Sequence, residues 1–199
     1  MTEKGANPDP LDRFKEVFSA AKAAAPEGVD ATAMTLATAD RKGRPSARVV
    51  LLKGVDEHGF VFYTNYNSRK AFELAENPVA ALCFYWPSID QQIRVEGRIE
   101  RVSDEESDAY FAERPRESQL GAWASRQSET LPSRQDLVSR LREAEDRFAG
   151  SSVSRPDFWG GYRLRPDWME FWQRGEFRLH HRAAYSRKGD KWRLEELYP

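Results

Sequence analysis

The 199-residue sequence predicts a mainly antiparallel β domain with helices, an α+β fold whose sheet curls toward a barrel. Three observations carry that prediction. Short apolar runs rich in β-branched and aromatic residues recur along the chain, the early ones are separated by polar breaks that contain glycine, and amphipathic stretches with helical spacing interrupt or flank them. Composition agrees: 40% hydrophobic and 12% aromatic residues suit a globular protein, and the length suits one domain that fills its own core. Residues 1–8 read as a flexible tail and residues 9–199 as a single domain.

The elements follow in order. "DPLDRFKEVFSAAKAA" opens with Asp9 as a cap and Pro10 at the first helical position, then places Leu11, Phe14, Val17, Phe18 and Ala21 on one face. "AMTLATA", "SARVVLLKGV" and "GFVFYTN" read as strands joined by "DRKGR" and "DEHG". "SRKAFELAENP" reads as a helix capped by Ser68 and stopped before Pro78. "VAALCFYW" and "QQIRVEGRIERV" return to strand, the second with Ile93, Val95, Gly97 and Ile99 alternating with polar neighbours. Ser103 and Glu106 have capping-box spacing for a helix that ends at Pro115, and "RESQLGAWASRQSETL" reads as a helix-loop segment. "PSRQDLVSRLREAEDRFAG" is helical up to Gly150, and "FWGGYRLRP", "WMEFWQ", "FRLHHRAAYSR" and "KWRLEELYP" read as closing strands.

Charge and cysteine usage exclude several functions. The 31 basic residues nearly cancel the 32 acidic ones, so neither nucleic acid nor an anionic membrane is expected as a partner. Cys83 stands alone in "ALCFYW", which rules out an intramolecular disulfide and predicts a buried core thiol. "MTEKGANPDP" has no apolar signal core, and no run approaches the roughly 20 apolar residues of a membrane span. A cytoplasmic protein is expected. Gly-rich phosphate loops, HExxH and metal-spaced Cys or His clusters are missing, so no metal site is expected either.

What remains is a set of cations in unusual places. Arg69 and Lys70 occupy the first turn of their helix, where the macrodipole is already positive; backbone N–H groups and the dipole converge there as an anion site. Arg48 and Lys53 bracket four apolar residues in "RVVLLK", as if to buttress a phosphate at each end of a buried strand, although taken alone the simpler reading is that both ends reach solvent. Strand alternation would put Arg178, His180 and Arg182 on one face and His181 on the other, a face suited to an anion or an electron-rich ring.

Together, "RVVLLK", "FYTNYNSRKAFELAENP", "QQIRVEG", "YFAERPRESQLGAWASRQS", "WGGYRL" and "EFWQRGEFRLHHR" resemble, in order and spacing, the pyridoxine (pyridoxamine) 5'-phosphate oxidases. The resemblance runs from Asp9 to the C-terminus and implies an FMN-binding split β-barrel that forms homodimers with two active sites at the subunit interface. It implies that Arg48, Arg69, Lys70 and Ser128 hold the FMN phosphate and its surroundings, that Val49, Val50, Leu51, Leu52, Lys53, Tyr63, Thr64, Gln92, Gln127, Trp172 and Arg182 line the rest of the flavin, and that Ser68 is among the cofactor-binding residues. Lys53, Tyr110, Arg114 and Ser118 match the cradle for the substrate phosphate; Arg178 and His180 match the catalytic pair that holds the pyridine ring. Tyr110, Arg114 and Ser118 are four residues apart, so a continuous helix would point them the same way.

The implied reaction is oxidation of pyridoxamine 5'-phosphate or pyridoxine 5'-phosphate at C4' to pyridoxal 5'-phosphate, with dioxygen reduced to hydrogen peroxide. The sequence departs from the family pattern at His181, Gln91 and Glu196, where Asp, Arg and Arg are common, and in a short N-terminal arm. "QQI" and "ASRQSETL" also resemble the FMN oxidases of phenazine biosynthesis, which would have little use for the substrate-phosphate cradle. A flavin-binding split-barrel protein without turnover would account for the FMN residues but not for Arg178, His180 and the cradle.

Overall fold

Asp9 opens the first helix as the sequence predicts. Its carboxylate accepts from the Leu11 N–H at 2.8 Å, Pro10 takes the first helical position, and α1 runs Pro10–Ala23. The computed structural model describes residues 9–199; the tail expected at residues 1–8 lies outside the described residues.

Among the described residues nine strands form one antiparallel sheet: β1 Ala33–Ala39, β2 Pro45–Leu51, β3 Gly54–Asp56, β4 Gly59–Asn65, β5 Val79–Trp86, β6 Gln91–Arg101, β7 Trp159–Gln173, β8 His181–Lys188 and β9 Lys191–Glu196. The hydrogen-bonded path is β2-β1-β5-β6-β7-β4-β3, with β8 added to β7 and β9 to β8. The two stretches "WGGYRLRP" and "WMEFWQ" are therefore one strand, whose first half pairs β4 and whose second half pairs β8. Between those halves Pro166 has no N–H to give, and the β6 register shifts at Glu96/Gly97. Gly97 is needed there because a Cβ would overlap the Arg165 carbonyl.

Three other expectations are corrected. "SARVVLLKGV" is not one strand: pairing stops after Leu51 and resumes at Gly54, because the Leu52 N–H turns to Thr32 O and the Lys53 N–H to Val61 O. Nor is β2 buried; it is an edge strand, and Val49 is 66% exposed. Cys83 is only half-buried, because its side chain lies on the face of β5 opposite Leu82 and Phe84.

One face of the sheet and α1 enclose the main core. Phe14 is fully buried, edge-on to Phe60 at 4.8 Å and to Phe84 at 5.0 Å. α2 spans Arg69–Glu76, α3 Asp104–Glu113, α4 Arg116–Ala124 and α5 Arg134–Arg147. The last three helices surround a second cluster of Phe111, Leu120, Ala144, Phe148, Val153 and Trp159, which forms the floor behind the groove described next. No described helix is long and apolar enough to cross a membrane.

Candidate active site

A groove of about 880 Å³ runs from the edge strand β2 to the α3–α4 corner, lined by Arg48, Val49, Val50, Leu51, Lys53, Tyr63, Thr64, Lys70, Tyr110, Arg114, Ser118 and Gln127 among others. Trp159 backs it: Tyr63 stacks on Tyr110 at 4.0 Å and on Trp159 at 5.5 Å, so three parallel rings form one apolar wall. Burial pushes the Tyr63 phenol up to about 12, which keeps it neutral.

Lys70 enters from the first turn of α2. Its ammonium donates to Gln127 Oε1 at 2.8 Å, Thr64 Oγ1 at 3.1 Å and Ser68 Oγ at 3.3 Å, all neutral acceptors. Burial and then the neighbouring charge of Arg48 lower its pKa to about 8. Ser68 is the N-cap residue but makes no side-chain cap bond; the Arg69 N–H is met instead by Ser128 Oγ at 3.1 Å, from a residue with φ 74°.

At the opposite wall, α3 ends because Pro115 disfavours helical backbone at Arg114, which is extended at φ −71°, ψ 147°. The continuous helix expected for Tyr110, Arg114 and Ser118 is thus broken between them. All three still reach the groove, because Gln119 Nε2 donates to Phe111 O at 2.8 Å and to Ala112 O at 3.3 Å and folds α4 back onto α3. The Arg114 guanidinium lies 4.6 Å from the Trp159 ring, and its Nη1 is buried without a hydrogen-bond partner. Its pKa is lowered by burial.

The groove therefore holds two cations with no carboxylate partner among the described residues, Lys70, which is buried, and Arg114, which is half-buried with its Nη1 fully enclosed. Burying unpaired charge is expensive, so such cations belong with anionic ligands. The residues present fit anionic ligand groups near Lys70 and near Arg114.

The remaining predicted site residues lie elsewhere. Arg69 and Ser128 line a neighbouring recess with Phe72 and Glu73 rather than the groove itself. Leu52 is a core residue and Ser68 is fully buried beneath Lys70. Gln92, Trp172, Arg178, His180 and Arg182 do not line the groove of their own chain. Gln92 and Trp172 are paired across β6 and β7, and Trp172 with Arg182 across β7 and β8.

Arg178, His180 and Arg182 do not share a strand face as alternation suggests. β8 begins only at His181, and Arg178 ends a short 3-10 turn, Glu176–Arg178, with φ 65° after Phe177 at φ 52°. Gly175 allows this turn, since a Cβ there would overlap the Leu179 carbonyl. The Gly175 N–H donates to His180 Nδ1 at 3.2 Å, and the ring packs 4.6 Å from Trp172, so neutral His180 carries its proton on Nε2. Arg182 is held at 2.5 Å by Glu170, a carboxylate only 1% exposed.

Sequence reasoning missed Glu73, Glu170 and Trp159. For Glu73 the local signal was its i,i+4 spacing from Arg69; for Trp159 it was the aromatic opening of "WGG". Among the described residues no group of three or more His, Cys, Asp or Glu could hold a metal.

Fold and site together define a curled antiparallel half-barrel protein with a cation-lined groove for an anionic ligand. Comparison with known proteins makes this specific. Residues 21–148 match the family described as pyridoxamine 5'-phosphate oxidase, and residues 159–199 match the pyridoxine 5'-phosphate oxidase C-terminal dimerisation region. The pyridoxine/pyridoxamine 5'-phosphate oxidase of Rubrobacter xylanophilus is 58% identical, covering 100% of this chain and 91% of its own. That of Anaeromyxobacter dehalogenans is 54% identical over 98% and 97%. The chain belongs to the pyridoxamine 5'-phosphate oxidase family. Among solved structures, PhzG from Burkholderia lata, in complex with tetrahydrophenazine-1-carboxylic acid, is similar at a TM-score of 0.91 and 32% identity, covering 100% of this chain and 98% of its own. A related FMN-binding protein from Nostoc punctiforme shares the fold at a TM-score of 0.75 and 21% identity, covering 94% and 97%.

Proposed function

We propose that this protein is an FMN-dependent oxidase that converts pyridoxamine 5'-phosphate or pyridoxine 5'-phosphate to pyridoxal 5'-phosphate, with dioxygen as acceptor and hydrogen peroxide as product. The observation that carries the reading is a pair of carboxylate-free cations at the two ends of one groove, Lys70, which is buried, and Arg114, which is half-buried with Nη1 out of reach of any partner among the described residues. One phosphate is the cofactor's and the other the substrate's.

Arg48, Arg69, Lys70 and Ser128 hold the FMN phosphate at the start of α2, above buried Ser68. Val49, Val50, Leu51, Lys53, Tyr63, Thr64 and Gln127 line the flavin. FMN supplies the two-electron acceptor that dioxygen regenerates. Lys53, Tyr110, Arg114 and Ser118 take the substrate phosphate through two cations and two hydroxyls. Gln92, Trp172, Arg178, His180 and Arg182 complete the site from a second copy of the chain. That assignment is supported by their absence from the groove of their own chain and by the dimerisation-region match over residues 159–199. His180, with Nδ1 occupied by the Gly175 N–H, presents Nε2–H to the ring, and Arg178 places its charge beside it.

The likeness to PhzG favours a second reading, a bulkier phenazine-type substrate on the same fold. Such a substrate leaves Arg114 without a phosphate. Incubating the FMN-loaded protein with pyridoxamine 5'-phosphate and following oxygen uptake, peroxide and pyridoxal 5'-phosphate decides between them. Stoichiometric product supports the vitamin oxidase; no product with any B6 phosphate contradicts it.

A further inference from the structure

Glu73 belongs to none of the residues assigned to a ligand, yet it is a nearly buried carboxylate at 6% exposure, on the inner face of α2. Its two oxygens are divided. Oε1 accepts from Arg69 Nε at 2.9 Å, one helical turn earlier. Oε2 accepts from the hydroxyls of Thr38 on β1 and Ser46 on β2, both at 2.5 Å, and lies 3.4 Å from Arg48 Nη2.

The same two hydroxyls accept from Arg48, Thr38 Oγ1 from Nη1 at 2.6 Å and Ser46 Oγ from Nη2 at 2.5 Å, while Leu36 O accepts from Nη1 at 3.3 Å. Each hydroxyl has one proton; giving it to Glu73 leaves its lone pairs for Arg48. The network thus has one consistent direction, and it fixes the Arg48 guanidinium from below with every Nη proton engaged. Arg48 is left with Nε–H, and Arg69 with its Nη protons, free of partners among the described residues. Two like-charged guanidiniums would otherwise repel each other and sample many rotamers.

Resting on the FMN-phosphate reading above, we infer that Glu73 is the positioning residue of the cofactor-phosphate site: it holds Arg48 and Arg69 in place before the phosphate arrives, without touching it. Its worth is preorganisation, so it acts on phosphate affinity and not on the isoalloxazine ring. The carboxylate suits this role, since the hydroxyl and guanidinium bonds outweigh its burial and hold its pKa down to about 2.

The test compares FMN with riboflavin, which lacks the phosphate, by fluorescence titration of the purified full chain. Glu73→Gln keeps the shape and removes the charge. It should weaken FMN binding about 10-fold, the scale of coupling within a charged network, while riboflavin binding stays within about 2-fold. In an Arg48→Ala, Arg69→Ala background the same substitution should change neither. Equal losses for both flavins, or an FMN affinity that is unchanged or tighter, overturn the inference. An unmodified protein that binds FMN no better than riboflavin overturns the phosphate assignment itself and this inference with it.

Discussion

Arg114→Ala should separate ligand binding from folding. In the protein alone, Arg114 is a poor contributor to stability: Nη1 is buried without a partner, while the guanidinium packs 4.6 Å from Trp159. Removing the unsatisfied group relieves about 1–3 kcal/mol of desolvation. Losing the ring contact costs about 0.5–2 kcal/mol. The two nearly cancel, so the melting temperature should move by only a few degrees. With substrate present the balance is one-sided. A hydrogen bond to a charged group contributes about 1.5–3 kcal/mol, which is about a 10- to 150-fold rise in KM for pyridoxamine 5'-phosphate. Because the phosphate is remote from the reacting carbon, kcat should hold. Steady-state kinetics on pyridoxamine 5'-phosphate and on pyridoxamine, with a thermal melt alongside, make the assay. An unchanged KM, an equal effect on both substrates, or a melt lowered by more than about 10 °C would show that Arg114 does not meet the substrate phosphate in this way.

Four further outcomes are expected. FMN affinity should be level from about pH 6.5 to pH 8 and fall above it, because Lys70, with a pKa near 8, loses the charge that meets the phosphate; riboflavin affinity measured in parallel should show no such fall. The same lowered pKa means that the unfolded chain, with Lys70 near 10.5, binds more protons than the folded one between pH 8 and 10.5, so Lys70's contribution to stability rises across that window in a flavin-free melt. Arg178→Ala should abolish most turnover with FMN retained, and mixing it with Arg114→Ala at low substrate should restore about a quarter of the wild-type rate, since half of the dimers then carry one intact site; no recovery would place groove and loop residues in one chain. Phe14→Ala should cost about 3–5 kcal/mol and lower the melt by roughly 6–20 °C, as α1 loses its fully buried anchor; a shift below 3 °C would show that α1 is dispensable.

What the sequence made legible was local. Asp9 and Pro10 start α1, and Ser103 caps α3 through the Glu106 N–H, because each needs only its neighbours. Cations in the first turn of α2 pointed to an anion for the same reason. What it hid depends on long-range pairing. The break at Leu52 and Lys53 exists because Thr32 and Val61 compete for their N–H groups. The alternation expected from Arg178 to Arg182 fails because β-pairing with β7 reaches back only to His181, and the preceding turn is set by Gly175. Glu170 acquires its meaning from Arg182 on another strand, and of the partners of Glu73 only Arg69 lies within one window of sequence, since Thr38 and Ser46 come from other elements. Tyr110, Arg114 and Ser118 converge for a different reason from the one their spacing suggests: Pro115 breaks the helix and Gln119 folds it back.

Oxidation of a B6 phosphate by bound FMN is tested by an anaerobic visible spectrum of the purified, FMN-loaded protein before and after addition of pyridoxine 5'-phosphate. The oxidised-flavin band should bleach, and air should restore it while pyridoxal 5'-phosphate accumulates. A band that persists unchanged with both pyridoxine 5'-phosphate and pyridoxamine 5'-phosphate would contradict the proposed oxidation.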